Sequence, residues 1–122
     1  MSEYTIYHNP RCTKSRATLA LLEERHIQPK VIEYLKTPPS AAELREIVGK
    51  LGIKPGQLVR RGEDVYKAKY AGKTLTDAQW IDAMVKDPVL IERPIVVSGA
   101  KAVIGRPPEN VEALLGGKGR KG

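Results

Sequence analysis

The chain has 122 residues, 41% of them apolar, a net charge of +7 and a single cysteine. That length suits one domain with a real core. One cysteine excludes an internal disulfide and, with only two histidines, leaves too few soft ligands for a metal site. No apolar run approaches the ~18 residues that a membrane span needs. Met1-Ser2-Glu3 lacks the basic start of a signal peptide. A cytoplasmic protein whose thiol stays reduced is expected. The positive balance invites a nucleic-acid reading, but Lys118, Arg120 and Lys121 sit in a Gly-rich tail and leave an excess of only +4 elsewhere. Basic and aromatic residues do not interleave as in RNA binders, so no nucleic-acid partner is expected. Residues 1–115 are expected to form one domain and 116–122 a disordered basic tail.

In chain order, Tyr4-Thr5-Ile6-Tyr7 predicts a strand. Ala17 to Arg25 predicts a helix with Leu19, Leu21 and Leu22 on its apolar side. Val31-Ile32-Glu33-Tyr34 predicts a second strand, parallel to the first through a right-handed crossover. Thr37-Pro38-Pro39 breaks the chain. Ser40 and Glu43 form a capping box, and Leu44, Ile47, Val48 and Leu51 follow as a helical stripe that Gly52 ends. Gln57 to Arg61 reads as one more helical turn, whereas 62–75 is polar and carries no periodic signal. Thr76 and Gln79 form a second capping box, ahead of Trp80, Ala83 and Met84 on one face with Ile81 and Val85 beside it. Ile95-Val96-Val97 and Ala102-Val103-Ile104 read as a hairpin joined at Ser98-Gly99. Pro107-Pro108 opens a last short helix with Val111, Leu114 and Leu115. The order is β-α-β, a helical insertion, then β-β-α: an α/β chain with the outline of the thioredoxin-like fold.

The lone cysteine lies in His8-Asn9-Pro10-Arg11-Cys12-Thr13-Lys14-Ser15-Arg16, between the first strand and the first helix. Helix N–H groups and the helix dipole favour an anion there, and both lower a thiol pKa. A buried structural cysteine is the competing reading; the polar, basic, turn-forming flanks favour a reactive thiol. His8 either tunes the thiol and orients the loop or is held for structural reasons. His26 reads as a surface residue. No C-x-x-C is present, since Ser15 stands where a resolving cysteine would. No phosphatase-type loop is present either, since Thr18 stands where its arginine would. Arginine suits oxyanions through its bidentate fork. Arg60-Arg61 lies in the insertion, and Arg93-Pro94 and Arg106-Pro107 flank the hairpin. Singly, each is ordinarily a solvated surface charge. Together with an anion-ready thiol they form a candidate set. Trans is the ordinary state of an X-Pro bond such as that of Pro94, and cis is its common exception.

These residues resemble the glutaredoxin-coupled arsenate reductase family, ArsC, over residues 4–115. The resemblance is carried by His8-Asn9-Pro10-x-Cys12-x-x-Ser15-Arg16, Tyr34-Leu35-x-Thr37-Pro38-Pro39, Leu58-x-Arg60, Arg93-Pro94-Ile95-Val96-Val97 and Gly105-Arg106-Pro107. It implies a thioredoxin-like fold with a helical insertion. It implies Cys12 as nucleophile assisted by His8 and Ser15, Arg60, Arg93 and Arg106 as oxyanion ligands, and Pro94 as a structural cis-proline. It implies arsenate or a similar oxyanion as substrate, glutathione as co-substrate, glutaredoxin as partner and no bound cofactor. The best-studied reductases carry Gly-Thr where this chain has Thr13-Lys14, and they have a longer tail. In these respects the chain is similar to an uncharacterised arsenate-reductase-like branch. Two other functions stay open from the sequence. One is a glutathione-dependent thiol enzyme acting on another substrate. The other is a non-enzymatic binding module like the Spx regulators, whose C-x-x-C switch is absent here.

Overall fold

Strands in this protein form where apolar and polar residues alternate, and the central one is Tyr4–His8 (β1). In the computed structural model, which describes residues 4–106 and 108–114, its Tyr4, Ile6 and His8 are buried on one face, with Thr5 and Tyr7 half-buried on the other. The chain divides into two compact units. One runs up to Tyr34 and resumes at Arg93; the other is Leu35–Glu92.

The first unit holds a four-stranded sheet. Lys30–Glu33 (β2) pairs parallel with β1, Ile6 facing Val31. Ile95–Ser98 (β3) pairs antiparallel with β1, Ile6 facing Val96. Lys101–Ile104 (β4) pairs antiparallel with β3, giving the order β2-β1-β3-β4. The β3–β4 hairpin closes through Gly99 and Ala100, with Gly99 at φ 61 as the first residue of a two-residue loop requires. This is the thioredoxin-like arrangement expected from the order of elements. Tyr4, Ile6, Leu22, Val96, Val111 and Leu114 form its apolar core, with Leu19, Leu21, Ile27 and Val103 packed against them.

The connecting helix, Thr13–Glu24 (α1), begins four residues earlier than the apolar pattern predicts. Its inward face is Ser15, Thr18 and Leu22, so the first turn buries hydroxyls and carries no hydrophobic signal. Its end is a Schellman motif: His26 N–H bonds the Glu23 carbonyl at 3.0 Å and Ile27 N–H that of Leu22 at 3.0 Å. His26 takes the left-handed position, φ 64, where glycine is usual. The chain after β4 forms a 3-10 turn at Pro108–Val111. Pro107, Leu115 and the tail at 116–122 lie outside the described residues.

The second unit is helical. Ala41–Leu51 (α2) starts at the Ser40–Glu43 capping box, with reciprocal bonds of 3.1 and 2.8 Å. It buries Leu44, Ile47 and Val48 and ends at Gly52, φ 71. A 3-10 turn follows at Pro55–Leu58. Asp64–Lys69 (α3) falls in the stretch that carries no periodic signal, and it buries no residue. Aromatic contact holds it: the Tyr66 ring stacks on Trp80 at 6.3 Å, with the Arg61 guanidinium 5.4 Å from both ring centroids. Asp77–Lys86 (α4), capped by Thr76 and Gln79, buries Trp80, Ile81, Ala83 and Met84 and leaves Val85 exposed. Among the described residues no helix is long and apolar enough to cross a membrane.

Glycines test the packing. A Cβ on Gly105 would stand 2.8 Å from Thr18 Cγ2 and 3.2 Å from Pro94 Cγ, whereas one on Gly49 in α2 would meet nothing. Gly105→Ala is therefore expected to lose about 1–3 kcal/mol of unfolding free energy. Gly49→Ala is expected to gain roughly 0.5–1 kcal/mol, the helix-interior preference for alanine. Urea unfolding of the two variants checks both signs.

Candidate active site

Cys12 is the N-cap of α1. That position normally carries Ser, Thr, Asp or Asn, whose oxygen accepts an orphan N–H. Here no side-chain hydrogen bond closes the cap. The backbone N–H groups of Ser15 and Lys14 lie close enough to the sulfur to stabilise its negative charge. The loop that presents the thiol is braced at several points. Cys12 N–H bonds the Asn9 carbonyl at 3.0 Å, and Arg11 N–H bonds Asn9 Oδ1 at 3.0 Å. Arg16 Nη1 donates to the Pro10 carbonyl at 2.9 Å.

His8 and Ser15 lie beneath this loop, both buried. Ser15 Oγ is 2.7 Å from His8 Nδ1 and accepts the Asn9 N–H at 3.0 Å. The Ser15 hydroxyl is thus engaged by the loop, and what reaches the sulfur is its backbone amide. Burial lowers the His8 pKa, with Glu33 opposing and Arg16 adding to the shift. The neutral imidazole is thereby favoured.

Arg93 brings a fixed charge. It precedes β3 through a cis Arg93–Pro94 bond, and its guanidinium acts on the thiol by hydrogen bonding and by charge. Burial pushes the Cys12 pKa up, but the Ser15 amide, the Arg93 guanidinium and the Lys14 amide outweigh it, and the net shift is downward. The arrangement favours the thiolate form of a half-exposed thiol, the form that nucleophilic attack on an oxyanion centre requires.

The structure brings Cys12, His8, Ser15 and Arg93 together. Arg106 is half-buried, with its carbonyl accepting from Asn110 Nδ2 at 3.2 Å; the side-chain cation acting on the thiol is that of Arg93. Arg60, in the helical unit, forms ion pairs there with Glu63 at 3.4 Å and Glu92 at 3.7 Å. Arg61 donates to Tyr66 Oη at 2.7 Å. Among the described residues no three His, Cys, Asp or Glu side chains could hold a metal. Sequence reasoning missed Thr18 and Gly105, which meet behind the thiol loop. Thr18 Oγ1 donates to the Gly105 carbonyl at 2.8 Å. The available signal was position: Thr18 follows Ser15 by one helical turn.

A thioredoxin-like sheet, one thiol at a helix N-cap and an arginine beside it define a thioredoxin-like protein with a single activated thiol. The chain belongs to the ArsC family, whose model matches residues 7–114. It is 50% identical over 113 residues to the uncharacterized protein YfgD of Escherichia coli K12, covering 91% of this chain and 95% of that one. It is 46% identical over 117 residues to an arsenate reductase of Neisseria meningitidis, covering 94% and 100%. The structure of an arsenate reductase from Vibrio cholerae superimposes with a TM-score of 0.89 at 46% identity, covering 92% and 97%.

The balance of these effects is open to measurement. The rate of Cys12 alkylation should rise with pH to a plateau whose midpoint lies below the free-thiol value of about 8.5. A midpoint at or above that value would mean that burial outweighs the amides and Arg93.

Proposed function

We propose that this protein is an arsenate reductase that works through a covalent Cys12 adduct, with glutathione as co-substrate and glutaredoxin as partner. The observation that carries the reading is the convergence of two backbone amides and Arg93 on a single thiol, in a chain whose relatives include proteins named arsenate reductase. Cys12 thiolate attacks arsenic, an S–As bond forms and hydroxide leaves, taking up a proton as water. Glutathione thiolate displaces a second oxygen from the adduct. A glutaredoxin thiolate then takes the glutathione sulfur as a mixed disulfide. The electron pair of that As–S bond stays on arsenic, which becomes trivalent. Hydrolysis of the remaining S–As bond returns Cys12 and releases arsenite. No bound cofactor is required.

Arg93 stabilises the charge on the oxyanion in this scheme. Arg106 keeps the ligand role that its family motif implies, whereas Arg60 is paired with Glu63 and Glu92 in the helical unit. His8 and Ser15 assist by holding the loop that presents the thiolate. Arg93→Ala should therefore cost roughly 2–4 kcal/mol in any oxyanion-dependent step. Arg61→Ala removes a cation engaged with Tyr66 and Trp80 and should leave that step nearly unchanged. Equal small losses of kcat/KM in both variants would make Arg93 an ordinary surface charge.

Stoichiometry argues for an external thiol as the source of electrons. Reduction takes two electrons, and the chain has one thiol, so an internal disulfide cannot form. Arsenite should appear when arsenate, glutathione, glutaredoxin, glutathione reductase and NADPH are supplied together, and thioredoxin alone should not replace them. Turnover with thioredoxin and no glutathione would refute the scheme. No turnover with either system, despite a reactive Cys12, would favour a glutathione-dependent enzyme for another substrate. The Thr13-Lys14 departure gives that second reading its one specific support.

A further inference from the structure

Two kinds of donor reach the Cys12 sulfur from segments far apart in sequence, and one buried side chain links them. Thr18 is fully buried. Its hydroxyl lies 3.0 Å from the Lys14 carbonyl oxygen and 2.8 Å from that of Gly105. A mid-helix threonine ordinarily bonds back to the carbonyl four residues earlier, which accounts for the contact with Lys14. It does not account for the shorter contact with Gly105, 87 residues away. Gly105 in turn donates its N–H to the Pro94 carbonyl at 2.8 Å, and Pro94 follows Arg93. A chain of hydrogen bonds therefore runs from Lys14 through Thr18 and Gly105 to Pro94, next to Arg93, and its two ends carry groups that favour the Cys12 thiolate. The Thr18 methyl adds a steric stop. It fills the space beside Gly105 so closely that a Cβ there would come within 2.8 Å of it.

We propose that Thr18 is a positioning residue for the thiol site, setting the separation between the amide donors at the start of α1 and the Arg93 guanidinium. The inference rests on the reading of Cys12 as the reacting thiolate. Thr18 touches neither the sulfur nor a substrate in this scheme. It acts because one hydroxyl proton is shared by a carbonyl of the thiol helix and a carbonyl of the segment that Arg93 leads into. The bond to Gly105 lies between buried groups and holds its separation tightly, because water cannot replace it; the bond to Lys14 is partly buried.

The test compares iodoacetamide alkylation of Cys12 against pH in the full chain and in three variants, with thermal melting run alongside. Thr18→Val keeps the shape and loses the hydroxyl; Thr18→Ser keeps the hydroxyl and loses the methyl. Leu114→Ala opens the core elsewhere in the same unit and serves as the stability control. Thr18→Val is expected to raise the midpoint by about 0.5 pH unit or more, about a threefold slower reaction well below it. Thr18→Ser is expected to retain most of the low midpoint, and Leu114→Ala to melt earlier with the midpoint unmoved. A Thr18→Val protein that melts earlier with an unchanged midpoint overturns the proposal. So does a Thr18→Ser or Leu114→Ala protein whose midpoint moves as far as that of Thr18→Val. A wild-type midpoint at or above about 8.5 overturns the activated thiol itself, a separate outcome from any of these.

Discussion

A sulfur stands where a helix usually begins with a hydroxyl or a carboxylate, and the rest of the site follows from that substitution. A neutral thiol is a weak acceptor and caps a helix poorly; a thiolate accepts strongly. Capping of α1 and ionisation of Cys12 are therefore one equilibrium. The folded pKa lies below the unfolded one. The stabilisation is accordingly full above the unfolded value and is lost as pH falls through the folded value. The half-exposed position of Cys12 keeps this contribution modest, because solvent screens it. The same exposure leaves the sulfur open to a partner. A fully buried thiolate would face the larger desolvation that already opposes ionisation here.

The beginning of α1 is built unlike its end. Leu22 and its neighbours join the apolar core, whereas Thr18 and Ser15, one and two turns earlier, are buried and polar. Buried hydroxyls are tolerated because each is satisfied: Ser15 by His8 and Asn9, Thr18 by Lys14 and Gly105. Leucines in those places would pack, but they could not fix the loop of Asn9–Arg11 or the segment at Gly105. Burial favours the neutral form of His8, and beneath the thiol His8, Ser15 and Asn9 are joined by hydrogen bonds.

Where secondary structure is dictated locally, the sequence was readable. The two capping boxes and the Leu44–Ile47–Val48 stripe appear as expected because caps and periodicity are short-range causes. The start of α1 was not readable from apolar spacing, since its first inward residues are hydroxyls. Nor was α3, whose support comes from Tyr66 and Trp80 stacking with Arg61 across it. The candidate site was legible in part. Cys12, His8, Ser15 and Arg93 stand in one place, and their motifs pointed there. Arg60 could be picked out as a cation, but not its pairing with Glu63 and Glu92, because Glu92 is distant in sequence. Thr18 and Gly105 carried no chemical signature of their own. A glycine without positive φ and a helical threonine look ordinary until the two are seen in contact.

The departure at Thr13-Lys14 bears on the two halves of the site unequally. What Lys14 gives the sulfur is its backbone amide, which any residue but proline would supply. Lys14 also offers Thr18 its carbonyl, again backbone. Thr13 and Lys14 are both exposed, and the Thr13 hydroxyl meets Arg16 Nη2 only at 3.5 Å, too long to hold either group firmly. Exchanging these side chains therefore leaves the inner donors intact, and with them the thiolate. What changes is the outer surface of the turn, where Lys14 adds a positive charge and Thr13 a branched side chain. The donors that this turn offers the sulfur are thus backbone atoms, whereas the departure at Thr13-Lys14 is one of side chains.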